Sequence, residues 1–224
     1  MSDVIEGMNK LVIAVLTGRR PGLLERTLTA METRQAVVWQ RSARVAVHNG
    51  ADAETAEVLD RRRWTIRGAV GGRDRLEGIG AASTVLADAA AMTGATYVLR
   101  LEDDWEAGEV DPLEWWPQAV DLLERQRVGQ VRLRAADEPV LDRCMVCRSP
   151  LRWARVPDGW QAHGHYTYNP SLMLVDTLTR SLPHRSEADA QRRLHHIEVV
   201  QHDPGVFRHI GGGELSLRTG GGSE

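Results

Sequence analysis

The first half of the chain alternates short apolar blocks with stretches whose apolar residues recur at helical spacing. A short apolar block bounded by turn residues is typical of a strand buried on both faces, and a repeat of three to four residues is typical of an amphipathic helix. Their alternation predicts an α/β sheet with parallel strands and helices on both faces. The predicted strands are residues 10–16, 44–47, 65–70 and 97–101, and the predicted helices are residues 23–31, 53–62 and 81–92.

The second half has a less regular pattern. Residues 134–165 are rich in Pro, Arg and Trp, which predicts loops. Helices are predicted over residues 112–125 and 187–196, and strands over residues 128–133, 168–175, 198–201 and 206–210. We expect a tail over residues 1–9, a single domain over residues 10–213 that divides at residue 110 into two halves, and a second, flexible tail over residues 214–224.

The composition narrows the class of protein. The chain has 224 residues, of which 42% are hydrophobic and 26% charged, with a formal net charge of −3. These values indicate a globular protein and argue against a uniformly basic nucleic-acid coat. The longest clean apolar run, residues 11–16, is far shorter than the ~20 residues of a spanning helix, and no secretory signal is visible. We therefore predict a cytoplasmic protein without a membrane segment.

Cys144 and Cys147 are the two cysteines of the sequence. A structural zinc site requires four ligands, and no second pair of this kind is present. Two cysteines are also too few for a disulfide framework, which favours a reducing compartment.

Polar groups follow three of the predicted strands at the point where each ends. They are Thr17, the pair His48–Asn49 and the run Glu102-Asp103-Asp104. In open α/β sheets, ligands bind in the crevice beyond the carboxyl ends of the strands. The three groups together therefore predict a binding site at this edge.

The acidic run suggests a cation site. Neighbouring residues of an extended chain point to opposite faces, so the three carboxylates cannot all point inward. A turn beginning here would allow two of them to reach one cation. Mg²⁺ and Mn²⁺ take carboxylate oxygens and bridge to substrate phosphates. The alternative is a solvated acidic turn, since Glu106 and Glu109 continue the negative charge.

Four segments together resemble the nucleotide-sugar-dependent glycosyltransferases of the GT-A fold, the family that includes polysaccharide synthases and small bacterial and phage transferases. VLTGRRPGLLERTL, ending at Leu28, is similar to the family's first strand and helix. VHNG at 47–50 resembles the end of its second strand. ATYVLRLEDDW at 95–105 resembles the strand that leads into its DxD-type motif, and GVFRHIG at 205–211 resembles its C-terminal histidine segment.

The resemblance implies a Rossmann-like mixed sheet, a nucleotide-sugar donor, and a divalent metal, Mn²⁺ or Mg²⁺, bridging the donor diphosphate. Asp104 is the first choice as metal ligand, Asp103 comes next, and Glu102 is the weakest of the three. His209 completes the metal site in this reading, with His202 as its competitor.

The resemblance also implies residues that bind the donor. His48 stands where the family more often has an acidic residue, which leaves the preference for uridine open. The residues assigned to the donor are Thr17, Arg20, His48, Asn49, Arg73, Gly80 and Asp103.

A general base is expected at the start of a helix in the second half, where the family has a carboxylate followed by a basic residue. Glu187 and Asp189 both precede Arg192 and Arg193, and Asp189 is the preferred candidate of the two. The alternative is structural, because Ser186 with Asp189 also fits a variant of the capping box, and acids favour helix N-termini.

We therefore predict a metal-dependent glycosyltransferase that uses a UDP-sugar. The acceptor hydroxyl belongs to a nucleic-acid base, such as a hydroxymethylated base of phage-type DNA, or to a glycan. Residues 125–155 contain eight Arg and three acids, a pattern that suits a polyanion but also suits a general bias towards arginine. The alternatives are a nucleotidyltransferase, a non-catalytic module that binds sugar or nucleic acid, and a metal nuclease.

Overall fold

A computed structural model describes residues 2–50, 52–71, 78–124, 128–134, 150, 152–168, 170–180 and 182–211. The helices are α1 (Ser2–Met8), α2 (Pro21–Arg34), α3 (Ala36–Arg41), α4 (Ala53–Asp60), α5 (Ile79–Met92), α6 (Pro112–Glu124), α7 (Val175–Arg180) and α8 (Glu187–Arg193). The strands are β1 (Leu11–Thr17), β2 (Ala43–Asn49), β3 (Ile66–Val70), β4 (Tyr97–Glu102), β5 (Trp105–Ala107), β6 (Val128–Arg132), β7 (Ala154–Val156), β8 (Gly159–His163), β9 (Ser171–Leu174), β10 (Glu198–His202) and β11 (Phe207–His209).

Within these ranges, nine strands form one sheet in the order β3-β2-β1-β4-β9-β6-β10-β8-β7, and β5 pairs with β11 in a second, two-stranded sheet. Strands β3, β2, β1 and β4 are parallel, whereas β9 is antiparallel to both of its neighbours, β4 and β6. Strands β6 and β10 are again parallel, and β8 and β7 continue antiparallel to the edge. The sheet is therefore mixed and runs through both halves of the chain.

Two hydrophobic cores lie on the two faces of this sheet. One contains side chains of α1, α2, α3, α4 and α6, and the other contains side chains of α5, α7 and α8. All seven residues of β1 are buried, because this central strand is covered on both faces. Helix α2 begins at Pro21, whose fixed φ suits a first helical position. The fold is an α/β sheet flanked by helices in a single domain, as predicted.

The strands and helices predicted for the first half are all present, with their ends shifted by a few residues. Two short elements were not predicted there, namely α3 and β5. Residues 2–8 of the expected N-terminal tail form helix α1, and Met8 at its end is fully buried in the core. The expected tail at residues 214–224 lies outside the described residues.

The prediction of loops throughout residues 134–165 is wrong for the strands β7 and β8. They form a hairpin whose turn holds Asp158 in the left-handed conformation, at a φ of 59°. These strands have three and five residues, so their alternation of apolar and polar positions is too short to be distinguished from a loop by sequence reasoning. Cys144 and Cys147 lie outside the described residues.

Candidate functional site

The carboxyl ends of β1 and β4 bring Thr17 next to Asp103. The two strands are parallel neighbours, with Leu16 paired to Glu102, so the residues that follow them emerge at one edge. The Asp103 carboxylate is fully buried and its Oδ2 accepts hydrogen bonds from the Thr17 hydroxyl and the Gly18 N–H, each at 2.8 Å. Thr27 Oγ1 donates to the Asp103 carbonyl at 2.9 Å, which fixes the backbone of the turn.

Arg20 joins the two aspartates. One guanidinium nitrogen bonds to Asp103 Oδ1, and the other lies 2.7 Å from Asp104 Oδ2. Burial alone would lower the pKa of Arg20, but the charges of Asp103 and Asp104 outweigh it, and the pKa is raised. Arg20 therefore stays a cation between two carboxylates that would otherwise repel each other.

His209 reaches the same carboxylates from the far end of the chain. The pairing of β5 with β11 places His209 opposite Trp105, and the two rings lie 4.9 Å apart. His209 Nε2 is 3.4 Å from Asp104 Oδ2, and the Ile210 N–H donates to the Asp104 carbonyl at 2.8 Å. A Cβ on Gly211 would come within 3.0 Å of Asp104 Oδ2 and 3.1 Å of His209 Nε2, so a larger residue here would require these side chains to shift. We call Thr17, Gly18, Arg20, Asp103, Asp104 and His209 the carboxylate pocket.

Glu102 points away from the carboxylate pocket, to the opposite face of β4. There its Oε1 lies 3.5 Å from Arg100, which is 1% exposed. Burial raises the pKa of Glu102 to about 8; Arg100 opposes this shift, while Asp104 and Glu187 add to it. Glu102 is therefore a carboxyl group whose pKa lies near neutral pH, rather than a permanent anion.

The partners of Arg100 complete a second buried group. Its guanidinium lies 3.8 Å from the centre of the Tyr168 ring, 3.3 Å from the Tyr166 hydroxyl and 3.0 Å from Ser83 Oγ. A buried guanidinium is stabilised when an aromatic face and hydrogen-bond acceptors replace its water. We call Ser83, Arg100, Glu102, Tyr166 and Tyr168 the arginine cluster.

Glu187 adjoins the arginine cluster, whereas Asp189 faces the arginines of its own helix. Glu187 Oε1 accepts from the Thr167 hydroxyl and the Tyr168 N–H, each at 2.9 Å. Asp189 accepts from the Arg185 N–H at 3.1 Å and forms ion pairs with Arg192 and Arg193. These contacts lower the pKa of Asp189, the Arg185 N–H having the largest effect.

His48 lies at the carboxyl end of β2, paired with Thr17 across the parallel strands. Its ring is buried, and Nε2 is 3.1 Å from Asp52 Oδ2. Asp52 also caps α4, because its other oxygen accepts the Thr55 N–H at 2.7 Å. Asn49 follows and is mostly buried. The sheet therefore brings His48 and Asn49 to the same edge as the carboxylate pocket.

Gly80 and Arg73 complete the residues predicted to bind a donor. Gly80 lies in the first turn of α5, where a Cβ would come within 2.2 Å of the Arg185 backbone, so close packing already explains this glycine. Arg73 lies outside the described residues.

The three predicted metal ligands do not lie together in one site. Asp104 and His209 are paired, while Glu102 belongs to the arginine cluster. His202, the competitor of His209, lies elsewhere and bonds to Gln118 Oε1 and the Pro204 carbonyl. Over the described ranges, no three His, Cys, Asp or Glu side chains converge as a metal cluster.

Sequence reasoning missed Arg100 as part of the site. The available signal was its place two residues before Glu102 on the same strand, since side chains at i and i+2 share a face. A cation inside an otherwise apolar strand is rarely buried unless another group pairs with it. Arg134 was also missed, although its guanidinium lies 5.7 Å from the centre of the Trp105 ring, next to His209.

In the part of the chain that the structure describes, no helix has the length and apolarity to cross a membrane. No protein-family model matches the sequence, and no curated protein matches it.

Solved structures match the fold of the chain. The structure of S. aureus TarS 1–349 superposes with a TM-score of 0.57 at 12% identity, over 90% of this chain and 60% of that one. The same protein in complex with UDP gives 0.56 at 12% identity over 88% and 59%, and in complex with UDP-GlcNAc 0.54 at 10% over 91% and 61%. The chain thus spans about 60% of the length of the TarS 1–349 structure. It has the mixed, helix-flanked sheet of the GT-A-type nucleotide-sugar transferases.

Proposed function

We propose that the chain is a glycosyltransferase that moves a sugar from a UDP-sugar to a hydroxyl acceptor with the help of a divalent cation. The observation that carries the proposal is the carboxylate pocket at the joint carboxyl ends of β1 and β4, with His48 and Asn49 beside it. This is the edge at which open α/β sheets bind ligands. The TarS structures with UDP and UDP-GlcNAc, which share the fold, support the choice of donor.

The residues of the pocket fit a cation that is shared with a diphosphate. Asp104 Oδ1 is buried and has no hydrogen-bond partner among the described residues, and His209 Nε2 lies beside the other oxygen. Mg²⁺ is usually held by one or two protein groups together with substrate phosphates, so two protein ligands are sufficient. Asp104 and His209 would hold the ion, which when bound neutralises the charge of the departing nucleotide.

Arg20 and Asp103 have a supporting role in this proposal. Asp103 takes hydrogen bonds from Thr17 and Gly18 and thereby fixes the loop that follows β1. The guanidinium of Arg20 carries five N–H donors, and two of its nitrogens contact the aspartates. Its remaining donors can contact phosphate oxygens of the donor, which links the loop to the leaving group.

Glu187 is the better candidate for the general base. Its Oε1 is held by two donors, and it lies close enough to the arginine cluster to raise the pKa of Glu102. Asp189 is bound by two arginines and a backbone N–H, contacts that keep it from taking a proton from an acceptor hydroxyl. Replacement of Glu187 by Gln is expected to slow transfer more than Asp189→Asn, by about 10²- to 10⁴-fold.

The acceptor hydroxyl belongs to a nucleic-acid base, including a hydroxymethylated base of phage-type DNA, or to a glycan. Glu187, as the proposed general base, defines only where that hydroxyl must lie. The identity of the acceptor therefore depends on surfaces beyond the carboxylate pocket.

Thermal melting with Mn²⁺ and a panel of nucleoside diphosphates and triphosphates tests the proposal. A ligand present at 100 times its Kd adds about 2.7 kcal/mol to stability, so UDP with Mn²⁺ is expected to raise Tm by several degrees. Asp104→Asn should abolish the shift, whereas Asp176→Asn, which removes an exposed carboxylate on α7, should leave it intact. Absence of a shift with every nucleotide would overturn the proposal, and a shift only with CTP or another triphosphate would favour a nucleotidyltransferase.

A further inference from the structure

One row of polar side chains crosses the sheet from the arginine cluster to its far edge. The register pairs Arg100 with Ser171, Ser171 with Arg132, and Arg132 with Gln201. It then pairs Gln201 with Trp160, and Trp160 with Arg155. Directly paired residues share one face of a sheet, so these six side chains form a continuous line on the face that carries Glu187.

The row changes from buried to exposed along its length. Arg100 is 1% exposed and Arg132 is 6% exposed, while the Arg155 side chain at the edge is 54% exposed. With strands about 4.8 Å apart, Arg132 and Arg155 are separated by about 14 Å. An extended ligand can contact the exposed end of the row, at β8 and β7, whereas Arg100 and Arg132 lie beneath the surface.

Each arginine along this row is paired with an aromatic ring. Arg132 lies 5.8 Å from the centre of the Trp153 ring, and Arg155 lies 5.2 Å from that of Trp160. Arg134, two residues after Arg132, lies 5.7 Å from the Trp105 ring beside His209. Arginine and aromatic residues in alternation supply what a single nucleic-acid strand needs, namely cations for phosphates and ring faces for bases.

The charges around the row are positive on balance near its centre. Burial lowers the pKa of His165, and the charges of Arg132 and His163 lower it further. Asp203 accepts a bond from Arg155 at 2.8 Å, and Glu198 lies 2.6 Å from His163. The pair of Arg155 and Asp203 is exposed to water, where an ion pair is weak, so a phosphate can compete for Arg155.

We propose that this row is the acceptor-binding surface and that its ligand is a single-stranded nucleic acid. A phosphate contacts the exposed Arg155, bases stack on Trp153 and Trp160, and the strand leads the modified base towards Glu187. That this ligand is the acceptor rests on the proposed function; that the surface binds it does not. A base already single-stranded, or flipped out of a duplex, can reach a carboxylate at the end of such a row.

Binding is measured by fluorescence anisotropy of a labelled oligothymidylate of about 12 nucleotides, without any nucleotide-sugar present. We expect binding that weakens steeply with salt, since each phosphate contact adds about 0.7 to the slope of log K against log salt. Arg155→Ala should lower that slope by about 0.7, and Trp160→Ala should weaken binding about five- to tenfold. Arg180→Ala, an exposed arginine on α7, is the matched control and should change neither value.

Two outcomes would overturn the proposal. One is no binding at low salt by a protein that still melts as a folded domain. The other is competition by inorganic polyphosphate or a sulfated glycan as strong, per charge, as by the oligonucleotide, because the bases would then contribute nothing. A shift of Tm by UDP with Mn²⁺ together with no oligonucleotide binding would retain the transferase and reject this acceptor surface. Oligonucleotide binding without any shift of Tm by a nucleotide would retain this surface and reject the transferase.

Discussion

Glu102 and Asp103 are neighbours in the chain, and yet they belong to two different polar clusters. Asp103 enters the carboxylate pocket, where Thr17, Gly18 and Arg20 satisfy it. Glu102 enters the arginine cluster, where a single cation lies 3.5 Å away. Burial raises the pKa of both carboxyl groups, that of Glu102 to about 8, and the charge of Arg20 with the bonds from Gly18 and Thr17 opposes the shift at Asp103. The strand thus separates two buried carboxyl groups that are stabilised by different partners.

The largest expected effect comes from Arg100→Met in the arginine cluster. The change keeps a similar volume but leaves the Tyr166 hydroxyl and Ser83 Oγ without their buried donor, and each such loss costs about 1–3 kcal/mol. Urea unfolding at pH 7 measures the loss. Arg180→Met, on an exposed helix, should have little effect. A loss of unfolding free energy below about 0.5 kcal/mol for Arg100→Met would contradict a stabilising role of Arg100 in the arginine cluster.

The next effect concerns pH and His184, which stacks on Tyr168 at the edge of the arginine cluster. Burial, assisted by Arg100, lowers the pKa of His184 to about 4, compared with 6.5 when unfolded. Below pH 6.5 the unfolded chain binds the proton first, so stability falls as pH drops and levels off below pH 4. The loss from this group is about 3 kcal/mol.

Urea unfolding between pH 7 and pH 4 measures this dependence. His184→Gln should flatten the curve, whereas His195→Gln, which alters an exposed ring, should leave it unchanged. Equal curves for the wild type and the His184 variant would contradict the assignment.

Two matched substitutions separate the structural role of one aspartate in the carboxylate pocket from the binding role of the other. Asp103→Asn weakens bonds from Thr17, Gly18 and Arg20, and bonds to a charged group contribute about 1.5–3 kcal/mol. We expect a loss of about 2 kcal/mol in unfolding free energy for this variant. Asp104→Asn, with one oxygen lacking any hydrogen bond, should lose less stability but all of the Tm shift given by UDP and Mn²⁺. The reverse order would exchange the structural and functional roles of the two residues.

The smallest effect is that of the Thr17 hydroxyl. Thr17→Val keeps the shape of the side chain and removes one bond to Asp103, which costs about 1 kcal/mol. Thr17→Ser keeps the hydroxyl and should restore most of that loss. Comparison of the two denaturation midpoints isolates the hydrogen bond from packing.

The first half of the fold could be predicted from sequence because its strands are buried on both faces and its helices are amphipathic. The ends of those strands also located Thr17, His48 and Asp103 at one edge. The hairpin β7–β8 could not be predicted, since its strands are too short to show a periodic pattern. The arginine cluster depends on β9 lying between β4 and β6, an order that no local pattern of Arg100 or Glu102 contains.

The double contact of Asp52 affects any experiment that aims to change the preference for the proposed donor. A single carboxylate caps helix α4 through the Thr55 N–H and contacts the His48 ring, which is a donor-binding residue only in the proposed function. Selection from a library that varies residue 52 would therefore mix losses of folding with changes of specificity, and weakly folded clones would be discarded together with informative ones. A library that varies His48 and Asn49 while retaining Asp52 would separate the two properties and report on specificity alone.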